Sequence, residues 1–178
     1  MTYCILGFCE TTGQSGIAYT TVTIAGGGTS PFYTYGGDIV VVQAYGNIAT
    51  GIAGARALDK GQSPEEAMLT MKGADSAFDF RQVGIMMRDS RKAALTGNSA
   101  RPWAGHHVGE HFIAMGNVLV GEEVVQAMST AFTESVGETL AERLLRGIEA
   151  GRDAGGQVAP DGRYDERCAL LKVFGAGP

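Results

Sequence analysis

The sequence has few cysteines, little positive charge and no long apolar run. Its three cysteines, Cys4, Cys9 and Cys168, are an odd number, which favours free thiols in a reducing compartment, and we expect a cytoplasmic protein. Fourteen Lys and Arg stand against 19 Asp and Glu, for a net charge of −5, so we expect no nucleic-acid partner. Apolar runs such as residues 39–42 are too short to span a bilayer, so we expect no membrane partner.

The composition that is present is typical of a folded globular protein. Hydrophobic residues make up 44% of the chain and charged residues 19%, and the length fits a single domain over residues 1–178. The glycine run at residues 26–28 lacks the following Lys and Ser or Thr of a phosphate-binding loop. We therefore predict no cofactor, and we expect a homo-oligomer because symmetric dimers are the commonest assembly.

Hydrophobic periodicity and turn residues predict an alternating order of strand blocks and helix pairs. Strands are predicted at residues 2–8, 17–24, 38–44, 81–88, 92–96, 111–120 and 169–174, the first two forming a hairpin. Helices are predicted at residues 48–60, 122–132 and 140–150, and one begins at Ser63-Pro64-Glu65-Glu66, a capping box with proline at its first position. Helix pairs between blocks of antiparallel strands indicate an α+β layered fold.

The segment at residues 101–125 concentrates functional side chains, namely Trp103, His106, His107, His111 and Asn117. Histidines beside Glu110 suggest a zinc site with an activated water. The spacing is not the helical His-Glu-x-x-His pattern, and glycines make the segment loop-like. We predict no metal, although a metal-dependent hydrolase is kept as the third alternative.

Thr2 directly follows Met1, and methionine aminopeptidases remove Met before a small side chain. Removal would leave the α-amine of Thr2 beside its own hydroxyl. An α-amine titrates at about 7.7–8.0, so it can accept the hydroxyl proton and activate Oγ1, as in N-terminal-threonine hydrolases. Thr2 is therefore a candidate catalytic nucleophile.

Attack on an amide develops an oxyanion, which needs hydrogen-bond donors. The candidate donors are the N–H of Gly97 and the side-chain amide of Asn117. Gln43, Trp103 and His106 are candidate substrate-binding residues. Each also has a structural interpretation: satisfying a backbone group, anchoring the packing and holding loop carbonyls, respectively.

Several segments match a known family in order along nearly the whole chain. The most specific is Pro102-Trp103-Ala104-Gly105-His106, followed by Gly116-Asn117; Gly16-Ile17-Ala18, Gln43-Ala44, Arg81-Gln82-Val83-Gly84 and Ala141-Glu142-Arg143-Leu144-Leu145 also match. The chain thus resembles the DUF1028 family, proteins of the N-terminal-nucleophile (Ntn) hydrolase-like fold that commonly begin Met-Thr. The resemblance implies a four-layer αββα sandwich with mostly antiparallel sheets, whose first strand begins at the nucleophile.

Three functions follow from these patterns. The first is an Ntn amidohydrolase that cleaves a small amide or lactam-like substrate. The second is a catalytically silent ligand-binding or assembly module on the same fold, and the third is the metal-dependent hydrolase. Fold alone does not decide among them, because one fold hosts active and silent members.

Overall fold

A computed structural model describes residues 1–159 and 161–175 and contains mixed helices and strands. The helices are α1 (Ile48–Asp59), α2 (Pro64–Ala74), α3 (Glu123–Glu134) and α4 (Leu140–Asp153). The strands are β1 (Thr2–Cys9), β2 (Gln14–Thr21), β3 (Pro31–Tyr33), β4 (Ile39–Ala44), β5 (Arg81–Met86), β6 (Lys92–Thr96), β7 (Ala104–Val108), β8 (Phe112–Asn117), β9 (Val158–Ala159), β10 (Gly162–Arg163) and β11 (Cys168–Phe174).

The strands form two main antiparallel sheets. One has the order β11-β2-β1-β8-β7 and the other the order β3-β4-β5-β6, while β9 and β10 form a small separate ribbon. Helices α3 and α4 contact the five-stranded sheet, and α1 and α2 contact the four-stranded sheet. The predicted α+β class with antiparallel sheets is confirmed.

Three apolar clusters lie between four successive layers of helices, sheet, sheet and helices. Tyr3 and Ile5 of β1 point toward α3 and α4, whereas Cys4 and Leu6 point toward the second sheet. This alternation is the period of two that a strand imposes on its side chains. A third cluster, which includes Val40 and Val42 of β4, packs against α1 and α2. Both sheets are therefore covered on both faces.

Local capping explains where the helices begin. The Ser63 hydroxyl accepts the Glu66 N–H and the Glu66 carboxylate accepts the Ser63 N–H, so the predicted capping box is confirmed. Thr139 and Glu142 repeat the arrangement at α4. Asn47 begins α1 by accepting backbone N–H groups of the first turn. These bonds satisfy donors that a helix start leaves without partners.

Four strands were not predicted from the sequence, among them the short β9 and β10, which lie between the last predicted helix and the strand predicted at residues 169–174. β7 occupies part of the segment interpreted as a loop, and β3 follows the glycine run at residues 26–28. Both are edge strands, and the histidine-rich sequence of β7 lacks an apolar alternation because most of the strand is exposed. No helix within the described ranges is long and apolar enough to cross a membrane.

Candidate functional site

Strand pairing places three polar side chains at one end of the space between the two main sheets. Thr2 pairs with Thr21 of β2 and with Asn117 of β8. Directly paired residues project to the same face of a sheet. Thr2 shares its face with Cys4 and Leu6, which lie between the sheets. Thr2, Thr21 and Asn117 therefore face the four-stranded sheet, and all three are buried.

The four-stranded sheet contributes the matching side. Gln43 of β4 pairs with Gln82 of β5, which pairs with Thr96 of β6. Gln43 shares the face of Val41, which lies in the cluster between the sheets. Together these residues form what we call the polar row: Thr2, Thr21, Asn117, Gln43, Gln82 and Thr96.

Thr2 and Thr21 are linked through their hydroxyls. The carbonyl of Thr21 accepts the Arg167 N–H, so the backbone polar groups of Thr21 point away from β1. Thr2 and Thr21 are therefore a non-hydrogen-bonded pair, in which the two side chains lie close together. Their Oγ1 atoms are 3.0 Å apart. The single hydroxyl proton of Thr21 goes to the Met1 carbonyl at 2.8 Å. The Thr2 hydroxyl is therefore the donor between the two threonines.

Gln82 makes hydrogen bonds to three other residues of the polar row. Its Oε1 accepts from Nε2 of Gln43 at 2.8 Å and from Nδ2 of Asn117 at 3.2 Å. Its Nε2 lies 2.9 Å from Thr96 Oγ1 and from the carbonyls of Gly105 and Gly116. This one side chain is therefore hydrogen-bonded to strands of both sheets at the site.

Asn117 has an unused acceptor and an unused proton. Its Oδ1 is buried and has no partner among the described residues, and one of its two Nδ2 protons goes to Gln82. Buried polar atoms are nearly always paired, by protein or by an ordered water or ligand. The Asn117 amide can therefore both donate to and accept from a bound molecule.

His106 is joined to the polar row through Thr96. Thr96 Oγ1 lies 2.8 Å from His106 Nδ1, and this ring nitrogen is the only acceptor that the described residues offer to the Thr96 hydroxyl proton. Nδ1 is then the acceptor, and the neutral ring carries its proton on Nε2. Burial, with a smaller effect of His107, lowers the pKa of His106, which is consistent with a neutral ring.

The three histidines do not converge. His106 and His107 are neighbours on β7, so their side chains leave opposite faces; the Nδ1 of His107 lies 2.9 Å from Ser129 Oγ on α3. His111 lies 3.7 Å from Glu10 and 3.9 Å from Glu110. Within the part of the chain that the structure describes, no three His, Cys, Asp or Glu side chains are grouped to hold a metal ion. The histidine-based zinc hypothesis therefore gains no geometric support.

Two adjacent cavities open at the polar row and share Ala44 as a lining residue. The Asn117 cavity, of about 550 Å³, is lined by Met1, Ala44, Tyr45, Arg101, Pro102, Asn117, Val118 and Val158. The Thr2 cavity, of about 260 Å³, is lined by Thr2, Tyr19, Thr23, Gly26, Thr29, Ser30, Gln43, Ala44, Gly46 and Ile48. A cavity of several hundred Å³ with apolar walls and a few polar groups has the size and chemistry of a small-molecule site.

The backbone is strained where it leaves both sheets beside these cavities. Ala44 follows Gln43 with φ of 71°, and Val118 follows Asn117 with φ of 55°. A β-branched residue at positive φ is a genuine outlier, and such strain concentrates at functional sites. The strained residues lie next to two of the predicted site residues.

The predicted site residues divide into two groups. Thr2, Asn117 and Gln43 come together in the polar row. Gly97, Trp103 and His106 line a different cavity, also of about 550 Å³, and the Gly97 N–H donates to the Arg81 carbonyl at 2.9 Å. Because that donor is occupied, we assign Gly97 no part in oxyanion binding.

Sequence reasoning missed five residues, namely Thr21, Gln82, Thr96, Tyr45 and Arg101. Gln82 left a signal, because a glutamine inside an apolar strand is as unusual as Gln43. Arg101 begins the segment that the sequence analysis singled out, but nothing local gives it a role. Thr21, Thr96 and Tyr45 left no signal, since only strand pairing and the packing of loops bring them to the site.

The fold and the site define an α+β sandwich with a buried polar row that opens on two cavities. The sequence model of DUF1028, a family of unknown function, matches residues 2–177, and the chain belongs to this family. A crystal structure of a Silicibacter pomeroyi protein of the same family is similar, with 27% identity and a TM-score of 0.84. The match covers 98% of this chain and 76% of that one. No curated protein matches the sequence.

Proposed function

We propose that this protein is an N-terminal-nucleophile amidohydrolase on an Ntn-hydrolase-like αββα sandwich, with Thr2 as its nucleophile. The observation that carries the proposal is the position of the Thr2 hydroxyl. It lies on the first residue of β1, which is 6% exposed, lines the Thr2 cavity and pairs with Asn117, a lining residue of the adjacent cavity. An N-terminal nucleophile needs its hydroxyl and its amine at one edge of a substrate cavity.

Removal of Met1 prepares this site in two ways. It frees the α-amine of Thr2 to act as the base. It also removes the carbonyl that now accepts the Thr21 proton, so Thr21 becomes free to donate to Thr2 Oγ1 once that atom has lost its proton. Burial, with a smaller contribution from Arg101, lowers the pKa of the Met1 α-amine. Thr2 is itself buried, and burial favours the neutral form of an amine.

The reaction follows from these groups. The Thr2 α-amine takes the Oγ1 proton, Oγ1 forms a bond to the amide carbon, and the carbonyl oxygen gains the negative charge. The spare Nδ2 proton of Asn117 stabilises that charge. The C–N bond then breaks, the leaving nitrogen takes the proton from the α-amine, and water hydrolyses the remaining ester.

One observation favours the second candidate, a silent ligand-binding module. With Met1 in place, its carbonyl is held by Thr21 at 2.8 Å and the nitrogen of Thr2 belongs to a peptide bond. A protein that keeps Met1 has cavities and a polar row but no base.

Intact mass of the purified protein decides first between these candidates. The hydrolase requires a chain that begins at Thr2. This form is then assayed for amine release from a panel of small acyl anilides and lactams, beside Thr2→Ser, Thr2→Ala and the exposed control Thr12→Ala.

Turnover is expected from the wild type, from Thr2→Ser and from Thr12→Ala. Loss of the nucleophile in Thr2→Ala is expected to lower kcat by roughly a thousandfold or more. Complete retention of Met1, or equal turnover by Thr2→Ala, would show that the hydrolase proposal is wrong.

A further inference from the structure

The Asn117 cavity contains one charged side chain. Arg101 lines it together with the apolar residues Ala44, Pro102, Val118 and Val158. No carboxylate belongs to its described lining, although the whole chain has a net charge of −5. A cationic side chain on an apolar concave surface without a carboxylate favours an anionic ligand.

Tyr45 fixes the orientation of Arg101. The Arg101 Nε donates to the Tyr45 hydroxyl at 2.6 Å, and the guanidinium carbon lies 5.6 Å from the centre of the Tyr45 ring. The Tyr45 carbonyl in turn accepts from Arg81, whose guanidinium is paired with the buried carboxylate of Asp75. Arg101 is thus held by a residue that is itself anchored to the four-stranded sheet.

The terminal nitrogens of Arg101 have no described partner. Its Nε is the only Arg101 atom with a hydrogen bond among the described residues, which leaves the two Nη groups for a ligand. These groups form the fork that binds a carboxylate through two parallel bonds. Burial, and to a smaller extent the charge of Arg101, lowers the pKa of the Met1 α-amine, which lines the same cavity.

Asn117 supplies a second recognition element in this cavity. Its buried Oδ1 has no described partner, and an amide N–H of a ligand would satisfy it. A ligand that used both elements would carry a carboxylate at one end and an amide nearby. The apolar lining between them suits an aliphatic side chain.

We infer that the substrate is an N-acyl amino acid whose carboxylate binds Arg101 and whose amide lies at Asn117 and Thr2. The inference rests on the proposed function for the reaction itself. The binding site for the anion is independent of it, since neither Arg101 nor Tyr45 takes part in the chemistry.

Calorimetric titration of the Thr2→Ala variant measures binding without turnover. N-acetyl-L-leucine is compared with N-acetyl-L-leucinamide, which differs by the missing charge. The acid is expected to bind roughly tenfold more tightly, which is the low end for a charge-assisted bond at an exposed arginine. Arg101→Gln should abolish the difference, Arg101→Lys should restore part of it, and the exposed control Arg56→Gln should leave it unchanged.

Equal binding of the acid and the carboxamide, or an unaltered preference in Arg101→Gln, would overturn the inference. Turnover by the chain that begins at Thr2 separates the two proposals. Tight binding of the acid without cleavage supports the anion site and contradicts the hydrolase. Cleavage of the acid and the carboxamide at the same rate supports the hydrolase and contradicts the anion site.

Discussion

Replacing Gln82 with methionine tests whether the polar row is the structural centre of the site. Methionine has nearly the volume of glutamine, so the packing between the sheets is preserved and the hydrogen bonds are lost. The Nε2 of Gln43 and the Nδ2 of Asn117 both lose the only acceptor that the described residues give them. The carbonyls of Gly105 and Gly116 also lose a donor.

The magnitude follows from the two orphaned donors. A buried donor without a partner costs about 1–3 kcal/mol, and the wider methionine contact surface offsets part of that. We expect Gln82→Met to lower the free energy of unfolding by about 3 kcal/mol. Turnover should also fall, because the Asn117 amide is no longer held in place.

Urea unfolding measures this change through the fluorescence of Trp103, the only tryptophan in the sequence. Trp103 is partly buried and packs against the cluster beneath α3 and α4. The matched control is Gln126→Met on the exposed face of α3, for which a change within about 0.5 kcal/mol is expected. A loss below about 1 kcal/mol in Gln82→Met would show that these bonds do not organise the site.

Two further predictions concern the supports of the site. The Asp75 carboxylate acts only as a hydrogen-bond acceptor, and its partners include the Arg81 guanidinium and the Thr50 hydroxyl. Asp75→Asn would turn an amide N–H toward one of these donors and should lower the free energy of unfolding in urea at pH 7 by about 3 kcal/mol. The hydrogen bond from Arg81 holds the pKa of Asp75 well below its usual value, so the stabilisation by the ionised carboxylate is complete above about pH 4 and is lost at lower pH. The free energies of unfolding of the wild type and Asp75→Asn should therefore converge at low pH. A constant difference between them down to about pH 2 would contradict this prediction. Gly97→Ala should lower the thermal midpoint by more than about 5 °C, since the added Cβ would overlap the Asp79 carbonyl, whereas Gly73→Ala, which meets open space, should leave it equal or raised.

The sequence predicts the elements of the fold well wherever periodicity is strong. The hairpin of β1 and β2, the helix opened by Ser63 and the paired helices α3 and α4 all follow from local patterns, and the structure confirms them. β7 was missed because an exposed edge strand needs little apolar sequence, and only its pairing with β8 reveals it.

The site is harder to predict because it is made by pairing across long separations. Thr2 and Asn117 are recognisable as chemically useful residues, but nothing local places them opposite each other. Gln43 and Gln82 are each a polar residue in an apolar strand. Gln43 and Gln82 pair because of the register of β4 with β5. Hydrophobic alternation alone predicts which face of the sheet each side chain occupies, but it does not predict which residues pair.

The two strained residues explain why the polar row opens onto cavities and is not sealed within the core. Gln43 is the last residue but one of β4, and Asn117 is the last residue of β8 in the opposite sheet. The residue that follows each of them has positive φ, at a cost of about 1–3 kcal/mol each. The exit after Asn117 is held by bonds from Leu119 N–H to the Trp103 carbonyl and from Val158 N–H to the Val118 carbonyl. Because these bonds keep the backbone away from the strand direction, β8 stops at the polar row and does not cover it. The strained backbone residues and the buried polar row therefore lie at the same edge of the sandwich, where Thr2 begins the first strand.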